Sequence, residues 1–277
     1  MIELIRYLND RRAWNRMEFS ALLESMKEQS GTWTAPVPDA WLQGRSLFGG
    51  LQAALAWRAM RALVLPEIPL RTLQVTFIGP VGAGTVTARA RILRKGRSTV
   101  HVEGVLGEGN EAQCLLLGVF GAARMSSVAI LPKAPPVPDG KPIDFRFVAG
   151  LTPNFTQYLP MRWLSGTPPY TSNPAPRAVI EVGMKDRGPM SEAHVLAIAD
   201  APPPVALSML KKPAPGSSMT WTIEFFAQDL PRLPLSGWRL DAEVTAARDG
   251  YTSQSVMVWT PGGELAAISR QSMVVFG

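Results

Sequence analysis

The run FGGLQAALAWRA at 48–59 and the run LQVTFIGPVGAGTVTARARILRKGRSTVHVEG at 73–104 change period between them. In the first, Ala and Leu crowd most faces, with Met60 just beyond, so after Gly49-Gly50 the chain reads as a helix buried on most sides. Pro66 stops it. From Leu73 onward apolar residues alternate, which is the pattern of half-buried strands. Leu73–Ile78, Thr85–Leu93, Thr99–Leu106 and Ala112–Phe120 are expected as antiparallel strands. Gly79-Pro80-Val81-Gly82, Lys95-Gly96-Arg97 and Glu108-Gly109-Asn110 are the turns between them. Upstream, residues 17–30 carry apolar residues at helical spacing and read as a short amphipathic helix.

The same order returns downstream. EAHVLAIADA (192–201) reads as a short helix, with Met219–Phe226, Trp238–Ala247, Tyr251–Thr260 and Leu265–Phe276 following as strands. Gly96 matches Gly250 and Gly109 matches Gly263, both at a spacing of 154, and Phe120 matches Phe276 after a two-residue slip. A repeated helix-then-four-strands order points to duplication, with each sheet wrapped around its own helix in an α+β arrangement. The Pro-rich stretch 126–142 reads as a linker, which divides the chain into 1–125, 126–142 and 143–277.

Composition narrows the function. The 277 residues carry a net charge of +6, with 18% charged residues and 46% hydrophobic ones, a globular and not a disordered balance. Up to residue 125 there are 15 basic and 10 acidic residues, and 13 and 12 beyond it. This excess is too dilute for a nucleic-acid surface but suits an anionic small ligand. One cysteine, Cys114, excludes an intrachain disulfide, and two histidines, His101 and His194, leave little for a metal site. Residues 1–16 have no uninterrupted apolar region and do not read as a secretory signal. The most apolar candidate span, Leu51–Leu65, contains Arg58 and Arg61. A soluble, cytoplasmic protein without cofactor, membrane or nucleic-acid partner is expected.

FGGLQAALAWRA with the following strands, and LAIADAPP, MTWTIEFF and GGELAAISRQSMVVF in the second half, resemble the acyl-CoA thioesterase II family. The resemblance spans about residues 17–277 and implies a double hotdog, two fused hotdog domains, that hydrolyses acyl-CoA to free acid and CoA. It also implies a water held by an Asp, a Thr and a Gln, which fall on Asp200, Thr222 and Gln271. Asp200 can accept the proton of the water, while Thr and Gln side chains donate and accept at once. There is no G-x-S-x-G nucleophile motif.

Backbone N–H groups around Gly49 and Gly50 are candidates for stabilising the oxyanion. Arg94, Lys95 and Arg97 are candidates for the phosphates of CoA. Read without the resemblance, Asp200 is a turn or cap residue, Thr222 strand filler and Gln271 a solvent-facing strand residue. Aligning ALAWRA with AIADAP sets Trp57 opposite Asp200, so one functional site per chain is expected. An acyl-CoA or acyl-carrier binding protein without activity is the alternative, and a hydratase or dehydratase a weaker one. Open sheet edges suggest a homo-oligomer.

Overall fold

The structure, a computed structural model, describes residues 17–107 and 111–276. The expected turn Glu108–Asn110, with its Gly109–Gly263 match, and the reading of residues 1–16 lie outside the described residues.

Helix α1 (Phe19–Glu24) leads into β1 (Lys27–Gln29) and β2 (Thr32–Val37). The helix predicted across 17–30 is thus cut short, and its last residues pair with β2 as a strand. After a small hairpin, β3 (Leu42–Gln43) and β4 (Ser46–Leu47), comes α2 (Gly49–Arg61). Ten of its residues are buried, from Gly50 to Trp57 with Ala59 and Met60, in keeping with its unbroken apolar surface. Next come β5 (Leu70–Phe77), β6 (Gly84–Lys95), β7 (Thr99–Gly107) and β8 (Cys114–Gly121).

The region 126–142 is irregular and almost wholly exposed. Beyond it the chain forms β9 (Ile143–Phe145), β10 (Met161–Ser165), β11 (Arg177–Val182), α3 (Glu192–Asp200) and α4 (Ala206–Met209). Four long strands complete it: β12 (Gly216–Phe225), β13 (Trp238–Arg248), β14 (Tyr251–Trp259) and β15 (Leu265–Val275).

Among the described residues thirteen strands form one antiparallel sheet in the order β1-β2-β6-β7-β8-β5-β12-β15-β14-β13-β11-β10-β9. Read outward from the β5–β12 junction, the two sides match: β8 and β15, β7 and β14, β6 and β13, β2 and β11. The repeat seen in the sequence is therefore matched in topology. Strands β2 and β11 were missed because β2 contains Pro36 and β11 follows a stretch rich in Pro and Gly, both poor strand signals. The two halves do not keep separate sheets. Five residue pairs, from Thr76–Thr220 to Thr72–Glu224, zip β5 to β12.

One face of the sheet closes over α2, which packs against β6, β7 and β8 and against α3. Leu73 and Val75 of β5 and Trp221 and Ile223 of β12 point to this inner face and are buried. Their alternate neighbours Gln74 and Glu224 are exposed on the outer face. Helices α2 and α3 run antiparallel: the start of α2 meets the end of α3, and Trp57 near the end of α2 meets Glu192 at the start of α3.

Candidate active site

Helix α3 ends at Asp200 because Pro202 to Pro204 follow and prolines have no N–H for the next turn. The departing loop is pinned where Val205 N–H donates to Gln254 Oε1 at 2.8 Å. Asp200 sits at the C-terminal end of its own helix, where a carboxylate gains nothing from the helix dipole. The start of α2 supplies what is missing. Phe48, at its N-cap, offers no capping side chain, and the Gly50 N–H donates to the Asp200 carboxylate instead.

This approach needs both glycines. A Cβ on Gly49 would lie 2.7 Å from Asp200 Oδ2 and 3.1 Å from the Phe77 ring. One on Gly50 would lie 2.9 Å from the Ala197 Cα. From the sheet, buried Gln271 donates through Nε2 to Asp200 Oδ1 at 2.5 Å. Trp221 faces Gln271 across β12–β15, and its indole donates to Ser269 Oγ at 2.8 Å.

Electrostatics follow from this packing. Asp200 as a residue keeps a partly accessible surface, but its carboxyl group is enclosed by α2, β15 and apolar neighbours. Burial therefore pushes its pKa up to about 7, against the opposing pull of the Gln271 and Gly50 hydrogen bonds. The same burial, together with the nearby Asp200 charge, raises the Cys114 thiol to about 12. Cys114 is thus an inert core thiol.

The structure brings together Asp200, Gln271, Gly49 and Gly50 out of the set anticipated from sequence. It does not bring Thr222 to them. Thr222 pairs with Gln74 on one side and Arg270 on the other, both exposed on the outer face. A strand turns successive side chains to opposite faces, so the residue beside Gln271 is Trp221 and not Thr222.

Nor do Arg94, Lys95 and Arg97 reach this site. They lie on the β6–β7 turn, where Lys95 pairs with Val100 and Val100 with Phe120 near the end of β8. Asp200 lies by Phe77, which pairs with Cys114 at the start of β8. The length of β8 separates the two places, roughly 20 Å at a strand's rise per residue.

Phe77, Trp221 and Gln254 were missed, since nothing local distinguishes them from other strand residues. His194 does belong to a polar cluster, but a different one. Its Nε2 meets Asp186 Oδ2 at 2.9 Å, its Nδ1 meets Ser191 Oγ at 2.7 Å, and Ser20 Oγ donates to Asp186 at 2.6 Å. Burial would raise the Asp186 carboxyl, but the hydrogen bonds from His194, Ser20 and the Arg187 N–H outweigh it and hold it down at about 2. The cluster ties α1 to the start of α3 and so fixes the helix that carries Asp200. Among the described residues no group of three or more His, Cys, Asp or Glu side chains is placed to hold a metal ion.

Comparison with known proteins agrees with this architecture. The chain aligns with the crystal structure of a conserved protein of unknown function with a hot dog fold from Alicyclobacillus acidocaldarius. The TM-score is 0.79 at 24% identity, covering 94% of this chain and 98% of that one. It also aligns with the tesB protein of Mycobacterium avium subs paratuberculosis, at TM-score 0.74 and 14% identity, covering 94% and 98%. The acyl-CoA thioesterase II TesB2 of Mycobacterium marinum aligns at TM-score 0.67 and 16% identity, covering 92% and 96%. At such identities these likenesses show a shared fold. No curated protein matches the chain by sequence. Two family models do match: the acyl-CoA thioesterase N-terminal domain over residues 37–121 and the C-terminal domain over residues 131–275. The second alone spans more than half of the chain, and the chain belongs to the acyl-CoA thioesterase family.

Proposed function

We propose that this protein is a double hotdog that hydrolyses acyl-CoA thioesters, with Asp200 as general base and Gln271 as its partner. The observation that carries the reading is the Asp200 carboxyl, held between a helix start and the Gln271 amide with its pKa raised to about 7. A base with a pKa near the working pH takes a proton from water effectively and needs no covalent intermediate. Gln271 Nε2 fixes one carboxyl oxygen, which leaves the other to orient the water. The Gly50 N–H is spent on Asp200, so the Gly49 N–H is the donor this helix start offers to the developing oxyanion. In this proposal the halves 1–125 and 143–277 are two hotdog domains joined by 126–142, and Thr222 has no part in the chemistry. A homo-oligomer would use the outer sheet face, because the edge strands β1 and β9 have three residues each and offer little to pair with.

The test is release of free thiol from a panel of acyl-CoA chain lengths by the wild-type protein. Turnover of at least one member supports hydrolysis. Tight binding across the panel without thiol release would replace it with the binding-protein reading. The rate also carries a pH signature. The ionised base is the active form, so kcat/KM should fall about tenfold per pH unit below pH 7 and level off above it. A profile flat from pH 5 to 8 would remove Asp200 as the base.

A further inference from the structure

The antiparallel pair α2 and α3 has two ends, and only one of them carries the Asp200 site. At the other end the equivalent positions are Trp57 and Glu192, each eight residues along its helix from the matching element of the first. Trp57 Nε1 donates to Glu192 Oε2 at 3.0 Å, Leu70 N–H donates to Oε1 at 2.5 Å, and Arg61 lies 3.8 Å away. Strand register supports the same equivalence. Leu73 faces Gly118 as Trp221 faces Gln271, so Gly118 stands where the second copy carries its amide. Met60 fills the space that a side chain there would take. Trp57 replaces the acid and Gly118 the amide, and this end has no hydrolytic pair.

Outside it, however, lies a shallow groove, largely open to solvent, of about 480 Å³, lined by Arg71, Thr99, Gly121, Ala122, Arg124 and Gln228, among others. Both arginines are anchored. Arg71 Nε donates to the Gly121 carbonyl at 2.8 Å, and Arg124 Nη2 donates to Ser98 Oγ at 2.7 Å. Each anchor uses one of five guanidinium N–H groups. The turn bearing Arg94, Lys95 and Arg97 leads directly into Ser98 and Thr99, so it adds positive charge at the rim. Among the described residues the lining contains no carboxylate. On the elements packed around it, Glu192 accepts from the Leu70 N–H and interacts with the charge of Arg71, Glu224 pairs with Thr72, and Glu103 shares β7 with Thr99. The matching groove at the Asp200 end, of about 290 Å³, has Met219 at the position of Arg71 and Arg248 as its cation.

We infer that the Arg71–Arg124 groove is a non-hydrolytic binding site for a phosphate-bearing ligand, of the kind presented by the phosphorylated nucleotide of CoA. The nucleotide identity rests on the thioesterase reading above; the affinity for phosphate does not. Guanidinium forks fixed on one N–H present the rest to a phosphate with little ordering cost. The site so placed binds substrate or product without turning it over.

The experiment is calorimetric titration of the full chain, at low salt, with adenosine 3′,5′-bisphosphate and with inorganic pyrophosphate. Saturable binding is expected, weakened at least tenfold by Arg71→Gln with Arg124→Gln, unchanged by Asp200→Asn, and reduced by added salt. Arg124→Gln alone removes an exposed side chain without touching the core, so a weakened affinity in that variant guards against misfolding as the cause. Tighter binding of the bisphosphate assigns recognition to the nucleotide, and equal affinities assign it to phosphate alone; either supports the groove. An affinity unaffected by both arginine changes, or no binding to the wild-type protein, overturns it. Probe binding that depends on Arg124 in a protein without thioesterase activity would sink the proposed function and leave this site standing. Hydrolysis without such binding would do the reverse.

Discussion

Asp200→Asn is expected to lower kcat about a thousandfold while raising thermal stability at neutral and alkaline pH. The first effect follows from removal of the base, since a positioned proton acceptor contributes roughly 10²–10⁴ to such reactions. The second follows from burial. Because the folded pKa lies near 7 and the ordinary value is 3.8, the folded state holds this proton longer than the unfolded chain does. Stability therefore falls as pH rises from about 4 through 7, by an amount on the order of 4 kcal/mol. Asparagine keeps the shape and an acceptor for the Gly50 N–H but never ionises. The melting temperature of the variant should match that of the wild type near pH 4 and exceed it increasingly towards pH 8. Unchanged turnover, or parallel melting curves over that range, would refute the role given to Asp200. Gln271→Ala should act more mildly on the rate. It should also shift the kcat/KM profile to higher pH, because it removes a hydrogen bond that favours the carboxylate.

The second large effect separates the two glycines. In a helix, Gly→Ala ordinarily stabilises by about 0.5–1 kcal/mol. Gly50→Ala should instead destabilise by about 2–3 kcal/mol, because its Cβ would meet the Ala197 backbone at 2.9 Å, and backbone cannot swing aside. Gly49→Ala meets the Asp200 carboxylate and the edge of Phe77, which can shift. It should lower kcat more than tenfold with little change in melting temperature, since the displaced group is the base itself. Thermal melts and thiol-release kinetics on both variants check this. A more stable Gly50→Ala protein would mean that α2 and α3 do not approach as closely as described.

Much of this was visible in the chain. Alternation from Thr85 to Ala88, or from Tyr251 to Val258, is strong because these stretches have one buried and one more exposed face. The short strands at Met161–Ser165 and Arg177–Val182 were not visible, because they lie in a stretch broken by Pro and Gly, and β13 and its neighbours hold them in place. Asp200 and Gln271 could be singled out by family resemblance alone. Their contact bridges 71 residues and exists only because α3 lies across α2 and against β15.

The position of Thr222 shows how fine the margin is. One residue along a strand exchanges the inner face for the outer one, and no local feature of TWTIEFF says which face is which. Arg94, Lys95 and Arg97 lie away from Asp200 for another reason: the chain gives their charge but not the end of the sheet at which β6 turns.

The sequence by itself determined the two buried helices, the eight long strands, their duplication and the basic excess of the first half, because periodicity and charge are local properties. The tertiary structure alone decided which residues meet. It set the Asp200 carboxyl on Gly50 and Gln271, filled the matching end with Trp57, and placed the arginines beside the Trp57 end. Those pairings depend on antiparallel helix packing and strand register, which segments distant in the chain settle together when they bury a common core.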